Sequence, residues 1–103
     1  MPDKDVTISV AGTAISASPN SVQVKQHLEK VKWTCAANSS IRGITISFPG
    51  NSSYNISLTL NGNSWRGMSK DFPDLGNFKY DVTVDFGGSQ EILDPEIIVV
   101  RGP

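Results

Sequence analysis

Apolar residues recur at every second position along most of the chain, and this limits the possible folds more than any other feature. In residues 5–11, Val6, Ile8 and Val10 share one side, while Thr7 and Ser9 share the other. Successive side chains of a strand point to opposite faces, so a period of two marks a half-buried strand. The pattern returns in residues 29–37 with Val31, Trp33 and Cys35 inside, and in 42–48 with Ile44, Ile46 and Phe48 inside. It returns again in 54–60 with Ile56, Leu58 and Leu60, and in 78–86 with Phe78, Tyr80, Val82, Val84 and Phe86. Residues 95–100 are instead a continuous apolar run after Pro95 and Glu96, and read as a strand covered on both faces.

Turn residues separate these runs. Pro49 and Gly50, Asn61-Gly62, and Gly87-Gly88 each follow an alternating segment, and Asn-Gly favours a tight hairpin. Pro95 stands at a strand start, where its missing amide donor costs least. Residues 18–33 admit two readings. Val24, Leu28 and Val31 have helical spacing, and Ser21 is a possible cap. Val22 with Val24, and Val31 with Trp33, alternate. The alternation predicts strand, turn, strand, with Gln26–Glu29 in the turn; a single helical turn is the other reading. Residues 63–77 are the longest irregular segment, and Trp65, Met68, Phe72 and Leu75 within it predict a loop packed on itself.

About seven short strands without a clear helix predict an all-β sandwich. The 103 residues fit one domain, 1–103. Apolar residues make up 38% of the chain. A chain of this size buries under about two-thirds of its unfolded surface, so nearly every apolar strand face has to contribute.

The order of three segments resembles the cupredoxins. Pro19, then Val22 and Val24, a tight turn, and Val31-x-Trp33 form the first. Gly76 leading into Phe78-x-Tyr80 forms the second, and the closing strand over residues 93–100 forms the third. The resemblance implies a Greek-key β-sandwich of cupredoxin-like build. The immunoglobulin-like sandwich is the alternative, sharing the alternation and the buried Trp. It normally has a Cys pair flanking that Trp, and this chain has one Cys.

Blue copper needs two His, a Cys thiolate and a weak axial Met. Cupredoxins carry Cys, His and Met on the loop between the last two strands. The corresponding residues, 85–95, contain none of the three, and the chain has a single His. The resemblance therefore implies the fold without a type 1 copper site, and no cofactor is expected. An electron carrier with an atypical copper site would have to use His27, Cys35 and Met68. The residues themselves read otherwise. Cys35 lies on the inward face as a small hydrophobe, His27 is solvated in a polar turn, and Met68 fills a gap in the core.

Other chemistry is sparse. No Ser-His-acid set can be built around His27, and no G-x-S-x-G elbow occurs. Asp71 and Asp74, and Glu91, Asp94 and Glu96, lack the oxygen density of a calcium loop. A carboxylate pair alone does not indicate a glycosidase. No catalytic residue and no enzyme activity is expected. The 9 basic and 10 acidic residues are dispersed, which argues against a nucleic-acid partner, and no apolar run suits a membrane span. Three glycosylation triplets, at Asn38, Asn51 and Asn55, carry little weight in a chain rich in Ser and Asn. The missing apolar signal core and the single Cys favour the cytoplasm; removal of a leader would imply the periplasm or secretion.

The expected function is that of a module binding a protein or small ligand. Its candidate surfaces are residues 63–77 and 86–95, with Trp65, Arg66, Gln90 and Glu91 as contact residues. An immunoglobulin-like adhesion or carbohydrate-binding module is a further class, and it requires an exposed Trp65. Unassigned edge strands allow a monomer or a weak edge-to-edge dimer.

Overall fold

The structure, a computed structural model, describes residues 3–101. Its strands are β1 (Lys4–Ala11), β2 (Ala14–Ser18), β3 (Ser21–Lys25), β4 (Val31–Ala36), β5 (Gly43–Ser47) and β6 (Ile56–Ser57). They continue with β7 (Thr59–Asn61), β8 (Ser64–Met68), β9 (Gly76–Lys79), β10 (Asp81–Asp85), β11 (Gln90–Leu93) and β12 (Glu96–Val100). A short 3-10 turn, Ser52–Tyr54, precedes β6. The chain is an all-β sandwich, as the alternation predicts.

One layer has the strand order β2-β1-β4-β8-β7. The other is made of two hydrogen-bonded groups, β11-β10-β5-β6 and β3-β12-β9. These groups are halves of one bent hairpin and its neighbours. The β9–β10 run bends at Tyr80, and the β11–β12 run bends at Asp94–Pro95. The Tyr80 amide donates to the Pro95 carbonyl across the bend, at 3.1 Å. Residues 78–86 are therefore not one straight strand. Their alternation survives the bend: Tyr80, Val82 and Val84 are buried, and Phe78 and Phe86 are half-buried.

Parallel pairings tie distant segments together. β1 lies parallel to β4, with Ile8 opposite Cys35, and β3 lies parallel to β12, with Val22 opposite Ile97. Residues 19–31 form strand, turn, strand. Leu28 is 42% exposed, so the helical spacing of Val24, Leu28 and Val31 does not mark a buried face. Buried Glu29 closes this turn, its Oε1 accepting from the Lys25 amide at 2.8 Å.

The inward residues of both layers form one core. Trp33 and Tyr80 are fully buried, and Trp33 Nε1 donates to the Tyr80 hydroxyl at 3.1 Å. Phe48 stacks on Tyr80 with ring centroids 5.4 Å apart. Phe72, Tyr54 and Phe78 extend this aromatic cluster. In β12, Ile97 and Val99 are buried while Ile98 and Val100 are half-buried. The continuous apolar run is thus fully covered on one face and only partly on the other, in a strand paired on both edges.

Several segments depart from the sequence expectations. Residues 63–77 are not one irregular loop, because Ser64–Met68 forms β8 between β4 and β7. Ser69 carries this pairing one step further. Its amide donates to the Val31 carbonyl, and its Oγ accepts from the Val31 amide at 2.9 Å. Only the stretch after it, with buried Phe72, packs back as a loop. Residues 86–95 are not a single loop either, since Gln90–Leu93 pairs with β10. Residues 14–18 form a strand, β2, that the alternating runs did not include. Leu60 was expected inside but is 54% exposed. It sits on short β7 at the edge of its layer, beyond the cover of the opposite layer. Met68 was expected to fill the core but is exposed.

Candidate binding cleft at one end of the sandwich

Strand directions gather four loops at one end. β1 and β4 run the same way, so the turn at 12–13 and the loop 37–42 leave from the same end. β8 is antiparallel to β4 and starts there, after the turn at 62–63. β5 also starts there, and its antiparallel neighbour β10 ends there, which adds the tip 86–89. Both two-residue hairpins use glycine in the left-handed region, Gly12 with φ 65° and Gly62 with φ 65°. In β7–β8, Asn61 pairs with Ser64. The turn itself is therefore Gly62-Asn63, one position later than an Asn-Gly turn would be.

Between these loops lies a cleft of about 370 Å³ lined by Ala37, Asn38, Ser39, Ile41, Leu60 and Trp65. Trp65 is positioned from both sides. It faces buried Cys35 across the β4–β8 pairing and Leu60 across β7–β8. It is half-buried, packed against the core while lining the open cleft. The loop wall is held by short hydrogen bonds. The Ala37 amide donates to the Asn63 carbonyl at 2.8 Å, and the Ile41 amide to the Asn38 carbonyl at 3.0 Å. Asn38 Oδ1 accepts from the Ser40 amide at 2.9 Å. None of the six lining side chains is charged.

A neighbouring notch of about 270 Å³ opens where β1 and β4 diverge, lined by Thr7–Val10 and Cys35–Asn38. After Ile8 opposite Cys35, β1 pairs only with β2, and β4 leans to β8. Cys35 is buried, and burial raises its thiol pKa. A protonated thiol is a poor nucleophile and a poor metal ligand.

The 86–89 tip is a closed turn. The Phe86 amide donates to the Ser89 carbonyl at 2.9 Å, and Asp85 Oδ1 accepts from the Gly87 amide at 2.8 Å. Gly87 adopts φ 94°. His27, Cys35 and Met68 are not brought together. His27 lies on the 26–28 turn at the opposite end, 3.1 Å from Asp71 Oδ2. Cys35 is four residues beyond Val31 on β4, roughly 13 Å along the strand. Met68 pairs with outward Lys32, on the other face from inward Cys35. Among the described residues, no three of His, Cys, Asp and Glu cluster as metal ligands do.

Trp65, Arg66, Gln90 and Glu91 are dispersed in the same way. Arg66 is exposed on the opposite face of β8 from Trp65, and its Nε donates to Ser64 Oγ at 2.8 Å. Gln90 and Glu91 are exposed on β11, which runs beside β2. β2 and β7 are opposite edges of their layer, so these two residues lie on the far side from Trp65. Sequence reasoning passed over Asn38, Ser39, Ile41 and the exposure of Leu60. The run Asn38-Ser39-Ser40 between two alternating segments is the one sequence signal for this loop, and its triplet pattern alone does not point to a cleft.

No protein-family model matches the chain, and no curated protein is significantly similar to it.

Proposed function

We propose that the chain is a non-enzymatic binding module of cupredoxin-like, Greek-key build. It lacks the ligands of a type 1 copper site and takes its partner at the end where the four loops gather. The observation that carries this reading is the uncharged cleft between loops 37–42 and 62–63, with half-buried Trp65 in its wall. A partly exposed aromatic beside small polar loops on a rigid sandwich is a common form of recognition surface. The closed turn at 86–89 and the separation of His27, Cys35 and Met68 favour this reading over an atypical copper carrier.

The immobilised protein should be screened against a displayed peptide library and a panel of neutral and charged oligosaccharides. Binders are expected whose affinity falls about tenfold or more in Trp65→Ala, with the thermal unfolding transition retained. Binders indifferent to Trp65 would overturn the assignment of this end.

A further inference from the structure

We infer that the Trp65 cleft takes a neutral saccharide, its ring set against the Trp65 indole and its hydroxyls held by Asn38 and Ser39. This rests on the reading of the loop-rich end as the binding end. Three features select the ligand class. The first is charge. The lining consists of Ala37, Asn38, Ser39, Ile41, Leu60 and Trp65, so nothing in the wall compensates a phosphate, a carboxylate or an ammonium group. Bringing a charge into such a site without a partner is costly.

The second feature is the pairing of apolar and amide groups. A sugar ring presents a C–H face and a rim of hydroxyls that both donate and accept. The wall answers with one aromatic and one exposed aliphatic side chain in register, Trp65 opposite Leu60. Across from them are an amide and a hydroxyl. Asn38 Oδ1 accepts from the Ser40 amide, which fixes the side chain and leaves its NH2 end for a ligand oxygen. The Ala37 amide's bond to the Asn63 carbonyl holds the loop against the hairpin tip, so the two walls are preorganised relative to each other.

The third feature is size. The cleft's 370 Å³ falls within the roughly 300–1,000 Å³ of small-ligand sites. A stable protein partner covers about 800 Å² on each side and anchors on several aromatic or Arg residues. The tips around the cleft offer Gly12, Thr13, Gly62, Asn63, Gly87 and Gly88, with Arg42 the single charged residue of the four loops and set beside Gly87 rather than in the cleft wall, which supplies little anchoring surface.

The test is isothermal titration calorimetry, whose signal does not depend on Trp65, with neutral oligosaccharides built from glucose, galactose, mannose and N-acetylglucosamine. Wild type is compared with Trp65→Ala, Trp65→Phe and Asn38→Ala. The expected result is a saturable change with at least one sugar series. Affinity should fall about tenfold or more in Trp65→Ala and less in Trp65→Phe, because the smaller ring keeps part of the stacking face. Added salt should leave the affinity unchanged. Trp65→Phe keeps the test valid should Trp65→Ala unfold. Absence of a saturable change with every neutral sugar, or binding unaffected by both Trp65 variants, overturns the inference. If sugars fail while a displayed peptide binds in a Trp65-dependent manner, the saccharide falls and the binding end stands. If no ligand of either kind depends on Trp65, both fall.

Discussion

Trp33 and Tyr80 show how one hydrogen bond joins the two layers. Trp33 lies on β4 in one layer, and Tyr80 at the bend in the other, with both side chains fully buried. Tyr80→Phe would leave the indole N–H without a partner in the core. Such an orphaned donor costs about 1–3 kcal/mol, and urea denaturation should register that loss. The same burial sets a pH dependence. Desolvation raises the pKa of Tyr80, against the opposing pull of the Trp33 hydrogen bond, and it raises that of Cys35. The folded chain therefore holds these protons more tightly than the unfolded chain does. Stability from this source is complete well below about pH 8.5, the midpoint of an exposed thiol, and declines as pH rises toward the folded values. Urea midpoints should fall on the alkaline side of neutrality, with a shallower fall in Cys35→Ala.

At the scale of elements, the crossing from β6 to β7 explains a glycine inside a strand. Gly67 on β8 pairs with Trp33 and so faces the core. A Cβ there would collide with Leu58 and approach Ile56 to 3.1 Å. Leu58 is the buried link that carries the chain from one layer to the other. Gly67→Val should therefore cost about 1–3 kcal/mol or more by overpacking, whereas Thr7→Val on an exposed outer position should stay within about 0.5 kcal/mol. Thermal unfolding of the two variants would check this. The same region shows what the sequence made legible and what it did not. Most of the long alternating runs became strands because their inward residues reach the core, with Val31, Trp33 and Cys35 buried as expected; the run 54–60 instead splits at Leu58 into β6 and β7 in different layers. β8 was not legible because Gly67 interrupts its inward face and Trp65 is only half covered. β2 and β11 were not legible because their exposed or half-buried positions carry little apolar signal. Leu60 alternates as if buried. Period shows which face a residue takes; whether another layer reaches that face depends on strand length and pairing. The cleft was half legible: Trp65 stood out, but Asn38 and Ser39 come from another loop, and their approach to Trp65 depends on the β4–β8 pairing.

The whole molecule has two unlike ends. At one, Phe48 stacks on Tyr80, Tyr54 and Phe72 pack on Phe48, Phe78 packs on both of these, and buried Phe72 belongs to the loop 69–75. At the other, four short loops of mostly Gly, Ser, Thr and Asn surround a cleft that the core does not fill. The aromatic end stabilises the sandwich, which leaves the loop-rich end free for the recognition proposed here. Amide chemical shifts mapped with and without the tightest ligand from the screen test that division most directly. Changes are predicted to gather at residues 37–42 and 60–65, with smaller ones at the 12–13 and 86–89 tips. Changes centred on residues 26–28, 48–55 or 69–75 would put the binding surface at the aromatic end and contradict the account.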